Sequence, residues 1–175
     1  MMGLQIDDRL FQRGATWQEC RESWEFNREN LLERSRHGHL LPHTLERLLR
    51  LPPRTRAVVL FHGRTLDSLK AMPFIGNTLA RASRLQVRYF NLSWFFPRFY
   101  PHLGRTAPRL LFPDQNQGAT AWGPRPAQIT SEMSEIALED RDQWLMDYNE
   151  AGFGALLDQE LADFLEDRFS LRDSA

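Results

Sequence analysis

Of the chain's 175 residues, one is cysteine, Cys20, and one is lysine, Lys70. A lone thiol excludes an intrachain disulfide framework and any dithiol–disulfide cycle run within the chain. Long apolar runs are also missing: the densest ones are short and broken by Pro, Arg or His, far below a membrane span. The N-terminus, Met-Met-Gly-Leu-Gln-Ile-Asp-Asp, has no basic start followed by an apolar stretch, so no signal peptide is expected. The formal net charge of −1 gives no basic field for nucleic acid or an anionic membrane. These absences predict a cytoplasmic protein without a nucleic-acid or membrane partner.

What is present alternates helical and strand patterns. Thr16-Trp17-Gln18-Glu19 has the capping-box form. Trp17, Cys20, Trp24, Asn27 and Leu31 then recur at three- and four-residue steps, predicting one amphipathic helix that ends near Arg36–Gly38. Pro42 starts a shorter helix with Leu45, Leu48 and Leu49 on one side, stopped by Pro52-Pro53. Ala57–Phe61 is continuously apolar, which suits a strand buried on both faces. Thr65 can cap a helix over 66–82 that carries Leu69, Met72, Ile75 and Leu79 inward and is kinked by Pro73. Leu85–Phe90 follows as a second, parallel strand. Arg109–Phe112 and Ala119–Trp122 flank a turn-rich segment and predict a hairpin. Two helices close the chain, one over 127–149 with a break and one over 153–169 that turns Leu157, Leu161, Phe164 and Leu165 inward.

The pattern of β–α–β with an interrupting Pro73, then Thr106-Ala107-Pro108 before a hairpin, then helix, resembles the thioredoxin-like superfamily. Trp122-Gly123-Pro124-Arg125-Pro126, Phe11–Thr16 and Asn30-Leu31-Leu32 resemble a little-characterised bacterial branch of it, and the likeness runs from about Phe11 to Ile129. It implies an α/β fold, β–α–β then β-hairpin–α around a central mixed sheet, in a single domain. That domain would comprise an N-terminal helical extension (1–53), a thioredoxin-like core (54–138) and C-terminal helices (139–175). It also implies a cis peptide bond at Pro108. In thioredoxins the first of two redox cysteines lies eight residues before the kink proline. Here that position is Thr65 and the second is Ser68, in Thr65-Leu66-Asp67-Ser68. The resemblance therefore implies the scaffold without its dithiol chemistry.

The binding candidates lie around that helix start. Free N–H groups and the helix dipole at Thr65 and Ser68, beside His62 and Arg64, suit a small anion; the plainer reading is an N-cap and its first turn. Ala107 and Pro108 would offer a backbone edge to an extended peptide. The leading expectation is a binding module for a peptide, protein or small ligand, with no cofactor. The alternative is a glutathione-dependent or other non-dithiol enzyme that uses the Thr65 or Ser68 hydroxyl. Trp94, Phe95, Phe96, Phe99 and Tyr100, five aromatics within seven residues, are candidates for an interface, including that of a homodimer. Cys20 sits on an apolar helix face, where a thiol is inert. His37, His39 and His43 lack the spacing of a metal site and are expected to form a solvated helix-end cluster.

Overall fold

The computed structural model describes residues 6–95, 106–113 and 121–171. Its centre is strand β1 (Thr55–Phe61), whose alternate side chains enter two separate cores. It pairs in parallel with β2 (Leu85–Asn91), Thr55 opposite Leu85, and antiparallel with β3 (Arg109–Leu111), giving the sheet order β2-β1-β3. Ala57, Val59 and Phe61 face the larger core, and Val58 and Leu60 the smaller one. Burial on both faces explains why this strand reads as an unbroken apolar run.

The N-terminal part contributes helices α1 (Asp8–Gln12), α2 (Trp17–Glu22), α3 (Arg28–Arg36) and α4 (Pro42–Leu49). Leu10 and Phe11 of α1 cover the smaller core. Ala15 then bridges antiparallel to Tyr89, which extends the sheet beyond β2 in a way the sequence pattern did not predict. The capping box at Thr16–Glu19 forms as expected.

The long helix predicted after it does not. Asn27 adopts a left-handed conformation (φ 54°), which separates α2 from α3. The break lets the buried Trp24 stack on Phe61 at 5.2 Å while its Nε1 donates to the Phe26 carbonyl at 2.8 Å. Asparagine tolerates this conformation better than most residues do. Leu49, expected on the apolar side of α4, is 41% exposed; Leu48 is fully buried.

Helix α5 (Leu66–Arg81) connects β1 to β2 and contains Pro73. The expected stripe of Leu69, Met72, Ile75 and Leu79 is buried, but so are Ser68, Lys70, Phe74 and Thr78. The reason is its position: α2, α3 and α4 and the C-terminal helices pack around the sides that the sheet leaves open. Of the predicted hairpin, Leu110 bridges antiparallel to Trp122; residues 114–120 lie outside the described residues.

The stretch after it is broken, as its sequence suggests, into α6 (Ala127–Ser134), a 3₁₀ turn (Leu138–Asp140) and α7 (Arg141–Asp147). Asn149 caps α8 (Glu150–Phe169), three residues earlier than the sequence pattern predicted. Helix α8 packs on α4, so the N- and C-terminal helical additions join each other and share the larger core. No described helix is long and apolar enough to cross a membrane.

Candidate functional site

The turn from β1 into α5 collects the residues singled out as a site, and hydrogen bonds explain how each is held. Thr65 is the N-cap of α5; its Oγ1 accepts from Ser68 N–H. The same hydroxyl donates within reach of Ser68 Oγ (2.9 Å) and the His62 carbonyl (3.2 Å). Ser68 Oγ accepts from the His62 N–H at 3.1 Å, and Ser68 is fully buried. These hydroxyls are thus tied to each other and to the turn, with no route for Ser68 to meet a reactant. His62 Nδ1 accepts from Arg64 N–H, which shapes the turn further. Arg64 itself is exposed and lies 3.5 Å from Glu25.

Asp67, in the first turn of α5, pairs with Arg125 at 2.5 Å, with its side chain 16% exposed. Burial raises its pKa above the ordinary carboxylate value, and the Arg125 guanidinium partly counters that. Arg125 also donates toward Met133 Sδ, linking the start of α5 to α6.

The Ala107–Pro108 peptide bond is cis, as the resemblance implied, and so is Gly123–Pro124. Both Ala107 and Pro108 are buried, and Ala107 belongs to the smaller core. Gly123 (φ 120°) lies so close to the Pro108 carbonyl that an added Cβ would collide with it. Arg109 holds the same place by donating to the Gly123 carbonyl at 2.7 Å. Pro108 is accordingly held against Gly123, and Arg64 is the exposed charge at the start of α5.

Cys20 is fully buried beside Trp17 and Trp24, and burial pushes its thiol pKa far up. Of the aromatic candidates, Trp94 is 61% exposed, while Phe95 packs edge-on against Phe90 at 5.0 Å. Phe96, Phe99 and Tyr100 lie outside the described residues.

A second location emerges that the sequence reading assigned to solvent. His37, His39 and His43 line a cleft of about 630 Å³ between the start of α4 and the face of α8, floored by Phe74 and Gly154. The solvated-cluster expectation fails for His39, whose side chain is 13% exposed. Its ring packs edge-on against Phe74, with centroids 4.5 Å apart, and its Nε2 lies 3.2 Å from Glu150 Oε2. Burial lowers its pKa below the usual 6.5, and the Glu150 bond opposes that shift.

Glu150 also accepts from Arg34 Nη2 at 2.7 Å and from Lys70 Nζ at 2.5 Å. Burial alone would raise its pKa, but the Lys70 and Arg34 bonds outweigh it and the carboxyl ends below its usual value. Asp158 accepts from the N–H groups of His43 and Thr44, capping α4 from another helix, and binds His43 Nδ1 at 2.8 Å. Both acids therefore join helices, and the cleft itself presents imidazole edges over an apolar floor. No three described His, Cys, Asp or Glu side chains form a metal-holding group.

A signal for this joint exists in the sequence: Asp158 falls on the apolar stripe of α8 beside Leu157 and Leu161, and Lys70 falls between the buried Leu69 and Ala71. Charged residues at core positions imply partners.

The same overall architecture occurs in solved structures. A crystallised protein of unknown function from Pseudomonas aeruginosa superposes with a TM-score of 0.65 and 10% identity, over 90% of this chain and 95% of that one. An HIV epitope-scaffold does so with a TM-score of 0.61 and 14% identity, over 90% of this chain and 93% of the other. At these identities the likeness establishes a shared mixed α/β fold and carries no activity across. No family model and no curated protein matches the chain.

Proposed function

We propose that this chain is a thioredoxin-like protein without dithiol chemistry, acting as a binding module for a peptide or small ligand on the surface beside Pro108. The observation that carries this reading is the Thr65–Ser68 pair. At the two positions where the fold family places its cysteines, both hydroxyls are bonded to each other and to the turn at His62. The parallel β1–α5–β2 unit, Pro73 within α5 and the cis bond before Pro108 support the family assignment. Binding at strand ends and helix starts needs no thiol: backbone edges and an exposed cation such as Arg64 suffice. The enzyme alternative has less support, because a nucleophile or thiol-activating hydroxyl must face its reactant and Ser68 is fully buried.

Two measurements test the proposal. In a dithiothreitol-driven insulin precipitation assay the protein should match the uncatalysed rate; clear acceleration would contradict the loss of dithiol chemistry. Peptides selected on the wild-type protein from a random library should bind Arg64→Glu at least about tenfold more weakly, a difference of about 1.4 kcal/mol. Equal binding to both would remove the surface beside Pro108 as the site.

A further inference from the structure

Strand β2 has one edge on β1 and another that the chain covers only in part. Both backbone groups of Tyr89 go to Ala15, its carbonyl accepting at 2.8 Å and its N–H donating at 2.9 Å. Successive residues of a strand turn their backbone groups to opposite edges, so those of Val87 and Leu85 face the Ala15 side as well. The chain does not continue along them, because Thr16 caps α2 and turns it away into that helix. The Leu85 N–H goes back to the Ala82 carbonyl at 2.9 Å, and the Val87 carbonyl accepts from Arg88 Nη1 at 3.0 Å. The Val87 N–H and the Leu85 carbonyl have no partner among the described residues.

A cleft of about 490 Å³ opens along this stretch of edge, with Thr16, Trp17, Arg21, Leu79, Leu85 and Val87 in its lining. Leu85, Val87 and Tyr89 turn their side chains to the larger core, which puts the cleft on that face of the sheet. Its apolar side is held in shape. Trp17 Nε1 donates to Asn77 Oδ1 at 3.1 Å, and Gly76 lies so close to the indole that any Cβ there would strike it. Arg21 is the one charged residue in the described lining, and Arg81 and Arg84 stand exposed where the chain leaves α5 for β2. The acids of α2 are engaged elsewhere: Glu19 in the capping box and Glu22 with Gln18 at 2.9 Å.

We propose that this edge is a docking site for an extended acidic peptide, which adds a short strand to β2 where Ala15 leaves it. A peptide residue opposite Val87 exchanges the same two bonds that Ala15 exchanges with Tyr89, since the Val87 carbonyl keeps a second lone pair. Its side chain stands on the same face as Val87 and enters the cleft against Trp17 and Leu79, so an apolar residue belongs there. Acidic residues on either side meet Arg21, Arg81 and Arg84. A small molecule could fill the cleft, but two unpaired main-chain groups in strand register call for another backbone. The site lies at the opposite edge of the sheet from Pro108, which precedes β3, so its failure would leave the proposed function untouched.

Hydrogen exchange read by NMR on the free protein tests the edge itself: the Val87 amide should exchange at least about a hundredfold faster than that of Tyr89. The probes are decapeptides selected from a random displayed library on Arg64→Glu, a bait that disfavours binding beside Pro108. They should carry an excess of Asp and Glu, bind the wild-type chain with Kd below about 1 mM and slow Val87 exchange at least about tenfold. Arg21→Glu, at a half-exposed position, should weaken them at least about tenfold. Val87→Pro should do the same, because it removes an N–H that the β1 ladder does not use, at an edge position where proline is tolerated. If that variant does not fold, the exchange readout decides. The proposal falls if Val87 in the free protein is as protected as Tyr89, if the selection yields no peptide that slows its exchange, or if Arg21→Glu binds the peptides as well as wild type does.

Discussion

Replacing Lys70 by methionine tests how the C-terminal helices are fastened to the rest of the fold. Lys70 is 1% exposed, and its Nζ meets Glu150 Oε1 at 2.5 Å, the Tyr148 carbonyl at 2.7 Å and the Met146 carbonyl at 3.3 Å. The ammonium thus ties α5 to the α7–α8 connection. Methionine fills most of the volume and donates nothing, leaving two carbonyls and one carboxylate oxygen short of a partner. Each orphaned buried acceptor costs about 1–3 kcal/mol. Breaking a fully buried ion pair costs about 3–5 kcal/mol, but removing the buried ammonium recovers part of its desolvation penalty. Glu150 keeps Arg34 and is 43% exposed, so water relieves it further.

The balance is a destabilisation of about 3 kcal/mol, dominated by the Tyr148 carbonyl and Glu150. With a urea slope of about 2 kcal/mol/M, the midpoint should fall by about 1.5 M. A fall below about 0.3 M would refute the reasoning, since it would mean that the three acceptors find other partners at no net loss. The Lys70→Met/Glu150→Gln double variant should be less destabilised than the two single changes summed, because each already removes the pair.

The same lysine gives a labelling prediction. As the chain has no other side-chain amine, acetylation of Nζ in native protein should be slow and accelerate through the urea transition; fast native labelling would contradict its burial. His39 predicts a pH dependence. Its folded pKa is lowered, so its contribution is complete above the unfolded value of 6.5 and is lost as pH falls from there through the folded pKa. His39→Gln should flatten the fall of the urea midpoint that sets in below pH 6.5, and an unchanged slope would refute the assignment. The Glu150 contribution, from a lowered pKa, is lost only below its unfolded 4.5, whereas the His39 loss begins at 6.5. The Thr65→Cys/Ser68→Cys variant should gain insulin-reducing activity with dithiothreitol. No gain from a folded variant would show that these positions are not equivalent to the family's redox pair.

How far the sequence reveals this depends on the range of the interaction. The β1–α5–β2 unit was legible because its signals are local: an apolar run, a Thr cap, helical periodicity and an interrupting proline. The α2–α3 break was not, because it depends on Trp24 reaching Phe61, and Asn27 lies on the helical periodicity all the same. The site residues divide similarly. Thr65 as a cap could be read from its neighbours, whereas the inward turn of Ser68 needs the His62 N–H, six residues away, to be in place.

The long-range cases share one physical cause. His39 read as solvated because Glu150, more than a hundred residues later, is invisible from its own segment; His43 is exposed as expected, although Asp158 binds its Nδ1. From α8 the view is better. Asp158 interrupts an apolar stripe, and a buried carboxylate must find N–H groups or cations. Its nearest available donors are the uncapped N–H groups at the start of α4, where Pro42 occupies N1 and Leu41 offers no side-chain cap. A helix start without its own cap and an acid on another helix's apolar face are each anomalies alone, and together they define a contact.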